Sequence, residues 1–278
     1  AVPLFILMGQ LIYRTGLADH LFTLAQRLVG GLPGGLGVST VVASSAFGAV
    51  TGSSVAAVAT MGNIAVPEMI KRGYSEPLAT GTVASAATLA ILIPPSIPLV
   101  IYGVWSETSI GALFMAGIVP GLLLALFFAI AVMLQRRHYP ARGSAVARGV
   151  AATSVRDELH GALAVALLFV VVIGGIYIGA FTPTEASGVG VVGVVLIALI
   201  TRRLRAGALR LALQETVRTS ASIFLVLMGG VVFSRFLVQT RLTEHMVGWV
   251  SGLAVSPMMI MLALVLLYLV LGAIMDTF

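Results

Sequence analysis

The chain has 278 residues, 59% of them hydrophobic and only 9% charged, with a mean hydropathy of +1.10 and a net charge of +6. Soluble domains carry about 25% charged residues, so this composition excludes an ordinary soluble fold and points to a bilayer. The excess of basic residues falls in short loops between apolar runs, which excludes a nucleic-acid partner, and the absence of cysteine excludes thiol and disulfide chemistry.

Apolar runs long enough to cross the hydrocarbon core, about 20 residues, read as spans. Residues 1–13 read as the end of one span. The chain opens inside this run without methionine and stops inside another at Phe278. We therefore expect a fragment. Residues 14–30 read as an amphipathic arm at the membrane surface, with Asp19 and His20 near water. The stretch 36–68 is interrupted by Gly48, Gly52, Ser53 and Ser54, and a re-entrant hairpin suits it better than one through-helix. Spans follow at 78–104, 110–134, 161–180, 184–200 and 216–238. Glu185 in FTPTEA sits at a turn, where Thr182 or Thr184 caps a helix. Asn63, Glu68 and Glu76 read as solvated or capping residues at the end of the hairpin. Residues 241–253 read as a second surface arm carrying Glu244 and His245.

The basic residues orient these spans. Arg136, Arg137, Arg142, Arg148 and Arg156 share one loop, and Arg202, Arg203, Arg205, Arg210 and Arg218 share another. Two spans separate the loops, so both lie on one side, as do Lys71 and Arg72. The positive-inside rule makes that side cytoplasmic. Under this topology 14 of the 16 Lys and Arg residues face the cytoplasm, Arg235 and Arg241 excepted.

Two stretches look like one element written twice. LFILMG at 4–9 answers to FLVLMG at 224–229, and TGLADH at 15–20 to TRLTEH at 240–245. Pro33 answers to Pro257, and GAV at 48–50 to GAI at 272–274. An odd number of crossings between the copies makes them inverted, the arrangement of secondary transporters with a midplane site. The expected fold is all-α and polytopic, with inverted repeats, re-entrant hairpins and a broken transmembrane helix. Its expected parts are a first repeat at 1–104, connecting helices at 105–215 and a second repeat at 216–278.

Three places are suited to chemistry. At 44–54, SSAFGAVTGSS lets the chain turn inside the membrane. Ser53 and Ser54 would open the returning helix, whose free N–H groups suit a carboxylate. The carbonyls ending the preceding half-helix suit Na⁺, although close helix packing also accounts for small residues. At 91–98, ILIPPSIP holds three prolines in five residues, and each removes a backbone donor. This predicts a discontinuous helix with free carbonyls around Pro94 and Pro95, Ser96 nearby and Thr88 on the preceding half. Asp276 lies deep in an apolar run beside Thr277, and an ionisable residue at such depth is costly and usually functional. No His, Cys or carboxylate cluster has metal-site spacing, and no nucleophilic triad or phosphate loop is present, which leaves an enzyme reading without support.

These motifs resemble the large membrane subunit of tripartite ATP-independent periplasmic (TRAP) transporters, the DctM-like family of the ion transporter superfamily. PLFILMGQLIYRTGLADHL, LVGGLPGGL, SAFGAVTGSSVAAVATMGNIAVPEMIKRGY, LAILIPPSIPLVIYG, FTPTEASGVGVV and LGAIMDTF carry the resemblance, while 139–157 carries none. It implies a multi-pass protein of the bacterial inner membrane that imports a carboxylate, such as a C4-dicarboxylate or sialic acid, with Na⁺ as coupling ion and no other cofactor. It also implies two partners, a periplasmic binding protein and a small four-helix membrane subunit, and an elevator-type movement. Family sodium sites at hairpin tips and broken helices correspond to Gly52, Ser53, Ser54 and Pro94–Ser96, and to Asp276 and Thr277. A binding-protein-independent dicarboxylate or citrate symporter of the same superfamily would share the hairpins, and a non-transporting scaffold would leave Pro94–Pro95 and Asp276 without a role. Which carboxylate is carried is not legible here, because the resemblance assigns the first selection to another polypeptide.

Overall fold

A computed structural model describes residues 1–17, 19–135, 155–252 and 255–275, and all regular secondary structure among them is helical. Its contacts divide the chain into two compact units, Ala1–Val217 and Arg218–Phe278. Five helical stretches are long and apolar enough to cross a membrane: Glu76–Trp105, Ile110–Leu134, Pro183–Ile200, Ala206–Gln239 and Pro257–Ile274. The chain is thus an all-α, multi-pass membrane protein.

In the first unit, α1 (Val2–Arg14) ends at Thr15, and Gly16 turns the chain at φ +69° into the short α2 (Asp19–Val29). Leu21, Phe22 and Ala25 of α2 are buried, against α3 and α9, while Arg27 and Leu28 face out. Then α3 (Gly35–Thr51) runs through the centre of the unit, against α1, α2, α4, α5, α6 and α8. Small and apolar residues line it on every side, and a helix apolar all round is buried all round. It returns as α4 (Ser54–Lys71). The expected interruption at 48–54 is narrower than the sequence suggested. Gly48 continues α3, and only Gly52 and Ser53 leave the helix.

The next span is broken twice. α5 (Glu76–Ala87) passes through Thr88 into the one-turn α6 (Leu89–Leu92), and residues 93–96 are non-helical before α7 (Ile97–Trp105). Then α8 (Ile110–Leu134) lies against α3 and α6, where Val38, Val41, Ala86, Leu89 and Val132 form an apolar core. α9 (Val155–Tyr177) and α10 (Pro183–Ile200) pack against each other, and α10 also against α1. The expected cap of α10 forms: Thr182 accepts from the Glu185 amide while Glu185 accepts from the Thr182 amide and hydroxyl.

Tyr74 closes the open end of the hairpin. Its hydroxyl accepts a hydrogen bond from the Gly37 amide at 3.4 Å, at the start of α3, although 37 residues separate the two. The start of α3 has no side-chain cap of its own, so the phenol supplies an acceptor that the helix end lacks. Burial pushes this phenol above its ordinary value, against the pull of the Gly37 and Leu36 amides. Tyr74→Phe is expected to lower the thermal midpoint of the full-length protein, since one such bond contributes about 1 kcal/mol. An unchanged midpoint would show that the phenol does not hold this end together.

α11 (Ala206–Gln239) carries the chain into the second unit. It begins ten residues before the expected span, so Arg210 and Arg218 lie on a helix rather than in a loop. Ala, Leu, Arg and Gln are strong helix formers, and after Gly207 no Gly or Pro interrupts the first turns. Arg241 turns the chain at φ +50° into α12 (Leu242–Ser251), and Ser256 caps α13 (Pro257–Ile274). Helix, left-handed turn, short helix and a helix of 17 or 18 residues thus recur in the order of α1–α3.

Candidate functional site: a hairpin tip against a broken helix

α3 ends because Gly52 adopts φ +62°, ψ +15°, a left-handed conformation open to glycine at little cost. Its N–H closes the helix on the Gly48 carbonyl at 2.7 Å. Ser53 then caps α4, its Oγ accepting from the Ala56 amide at 3.3 Å, and Ser54 is the first helical residue. Carbonyls ending one helix and amides opening the next are therefore two residues apart.

The second half of the site is the break at 93–96. Pro94 and Pro95, joined by a cis peptide, and Ser96 are buried. Ser96 bridges the gap: its hydroxyl donates to the Ile91 carbonyl at 2.6 Å and accepts from the Leu99 amide at 3.4 Å. The sequence suggested free carbonyls here, and Ser96 takes up one of them.

Tip and break meet directly. The Ile97 amide donates to the Gly52 carbonyl at 3.3 Å. A Cβ on Gly52 would lie 2.6 Å from the Pro95 carbonyl oxygen, and one on Gly48 would lie 2.8 Å from the Cα of Ala90. No side chain larger than hydrogen fits at either position without displacing backbone. α3 and the segment 90–97 therefore run side by side. Behind Pro95, Met8, Ile12, Val50 and Leu168 close an apolar seam with a void of about 10 Å³, room for no more than one water.

The chemistry follows from helix ends. Carbonyl ends carry partial negative charge and amide ends partial positive charge. Here the end of α3 lies beside the starts of α4 and α7, so partial charges of both signs fall within one small region. No ionisable side chain occurs in 44–54 or 88–99, so nothing in these stretches neutralises a bound ion.

Thr88 is not joined to the tip by any hydrogen bond among the described residues; it is exposed, and its hydroxyl donates to the Ser85 carbonyl at 2.6 Å. Asp276 and Thr277 lie outside the described residues. The Gly52–Ile97 bond had no signature in the sequence, because it runs between main-chain groups. Tyr74 was likewise missed, sitting in a turn whose composition suggests only solvent.

Span-length helices around a hairpin and a broken helix define a polytopic membrane protein in which helix ends meet among buried residues. The chain belongs to the family described as "Tripartite ATP-independent periplasmic transporter, DctM component", which matches residues 1–278. It is 37% identical to the C4-dicarboxylate TRAP transporter large permease protein DctM of Pseudomonas aeruginosa, over 99% of this chain and 64% of that protein. It is 34% identical to the sialic acid TRAP transporter large permease protein SiaM of Vibrio cholerae, over 100% of this chain and 64% of that protein. With the ectoine TRAP transporter large permease protein TeaC of Halomonas elongata it shares 36% identity over 84% of this chain and 54% of that protein. The chain thus spans less than two thirds of the length of these relatives.

Proposed function

We propose that the chain is part of the large permease subunit of a TRAP transporter, importing a carboxylate across the bacterial inner membrane with Na⁺ as coupling ion. One observation supports this above the others: the hairpin tip at Gly52 is bonded to the broken helix at Ile97. Isolated ions are expensive to bury, and this region brings no formal charge of its own. Na⁺ at the carbonyl ends and a carboxylate at the amide ends neutralise each other, so each is held better in the presence of the other. That mutual requirement is coupling. Gly52, Ser53, Ser54 and Pro94–Ser96 form the first site in this reading, with Asp276 and Thr277 in a second from the inverted repeat. A periplasmic binding protein delivers the substrate, a small four-helix subunit packs beside the permease, and the hairpin-bearing part moves as an elevator.

The test is uptake by the full-length complex in proteoliposomes with and without an inward Na⁺ gradient. Uptake indifferent to the gradient would overturn the reading. Ser54→Ala is expected to weaken Na⁺ dependence more than Ser39→Ala, because Ser54 opens α4 at the tip whereas the Ser39 hydroxyl is spent on the Gly35 carbonyl at 2.6 Å. Equal Na⁺ dependence in the two variants would remove Ser54 from the site.

A further inference from the structure

The main chain through the break at 93–96 has lost the ladder that would orient it. In an unbroken helix the carbonyls of Ala90, Ile91 and Pro94 would accept from the amides at 94, 95 and 98, and Pro94, Pro95 and Pro98 have none. The Ile97 amide, which would serve the Ile93 carbonyl, is spent on Gly52. Ser96 takes up the Ile91 carbonyl and no more than that. The direction in which the remaining carbonyls point must therefore be set by what packs against them.

α6 lies against both α3 and α8, and these two also touch each other. From α3, a Cβ on Gly48 would stand 2.8 Å from the Cα and the Cβ of Ala90. From α8, Gly117 and Gly121 face the break, one turn apart and both buried. A Cβ on Gly117 would stand 2.4 Å from the Leu92 carbonyl oxygen but 3.5 Å from its carbon, so this carbonyl points at α8. A Cβ on Gly121 would stand 2.9 Å from Cγ1 of Ile93. The Pro95 carbonyl instead approaches the hairpin tip, where a Cβ on Gly52 would stand 2.6 Å from its oxygen. The break thus sends one carbonyl to α8 and another to the tip. Main chain seated this closely has no room for a methyl at Gly48 or at Gly117.

We propose that Gly117 and Gly121 of α8 are positioning residues for the site at the hairpin tip: they seat the Leu92–Ile93 main chain against bare helix backbone, and so set how Pro95 and Ile97 are presented to Gly52. The inference rests on the transport reading above and adds α8 to it. In this role neither glycine touches the ion or the carboxylate; both act through the broken helix. A methyl at Gly117 meets a main-chain oxygen, which no change of rotamer can move. The Leu92 peptide must shift, and Gly48 closes the way toward α3. The displacement then passes to Pro95, three residues on. A methyl at Gly121 meets a side-chain carbon, so its effect is milder and can be relieved by removing that carbon.

The test is initial-rate uptake by the full-length complex in proteoliposomes, with succinate and sialic acid as probes and the one taken up by the parent carried forward. Rates are measured against Na⁺ and against the carboxylate separately. Gly117→Ala is expected to raise both half-saturating concentrations severalfold, with a smaller fall in the maximal rate. Gly111→Ala makes the same change on the same helix, where the nearest atom is Cγ2 of Ile176 at 3.5 Å, and is expected to stay close to the parent. Gly121→Ala is expected to show a weaker shift, and adding Ile93→Ala to it to restore the values of Ile93→Ala alone. A lower maximal rate at unchanged half-saturation in Gly117→Ala would assign these glycines to helix packing and overturn the proposal. If Gly117→Ala does not fold, the Gly121 and Ile93 pair decides: independent, additive effects would overturn the proposal, and relief would support it. A parent complex indifferent to Na⁺ would overturn the coupling reading instead, and the carboxylate half-saturation would then carry the same comparison.

Discussion

Gly52→Val is expected to abolish uptake by the full-length complex while Gly62→Ala leaves it close to the parent. Gly52 sits at φ +62°, where an L-residue costs roughly 1–2 kcal/mol. The added Cβ would also lie 2.6 Å from the Pro95 carbonyl oxygen and 3.1 Å from the Ile97 nitrogen. Relief is possible only by drawing the hairpin tip off the broken helix, which severs the Ile97 to Gly52 bond. If strain and lost alignment together raise the barrier by about 3 kcal/mol, uptake falls roughly a hundredfold. Gly62 has open space where a Cβ would stand, so alanine there controls for loss of glycine in the same hairpin. Near-parental uptake by Gly52→Val in protein that purifies normally would show that close contact between tip and break is not needed for transport.

The position of that contact marks the boundary of what was legible in the sequence. The spans at 78–104, 110–134, 184–200 and 216–238 were readable because the bilayer demands length and apolarity, and α8 begins and ends where its composition does. The turn between α3 and α4 was readable because Gly52 and the serines after it favour a helix end and a new cap. The break at 93–96 was readable because proline has no N–H. By contrast, the start of α11 was misread, since arginines in a strongly helix-forming run look like a loop when only hydropathy is weighed. The turn at Thr88 had no glycine or proline to announce it. The pairing of tip with break depends on two main-chain groups 45 residues apart in sequence, and no side-chain pattern encodes it.

Ser96→Ala is the second substitution with a large expected effect, and it separates two roles of the break. The Ser96 side chain is fully buried, and its hydroxyl is committed in both directions, to the Ile91 carbonyl and from the Leu99 amide. Alanine removes the bridge and leaves both main-chain groups without that partner, a cost of about 1–3 kcal/mol for each unsatisfied group. The volume hardly changes, so the fold should persist with a looser junction between α6 and α7. Pro94, Pro95 and the Ile97 amide are then positioned less firmly against Gly52. In this reading Ser96 orients the carbonyls that receive Na⁺ instead of binding the ion through its hydroxyl hydrogen, which is already donated. Ser96→Ala is therefore expected to raise the Na⁺ concentration for half-maximal uptake severalfold, with a smaller fall in the maximal rate. Ser96→Thr keeps the hydroxyl and is expected to recover most of the Na⁺ affinity, provided the extra methyl is accommodated. Purely structural damage predicts the reverse, a lower maximal rate at unchanged Na⁺ dependence. That outcome for Ser96→Ala would assign the residue to holding the helix together and leave ion selection to the carbonyls at the tip of α3.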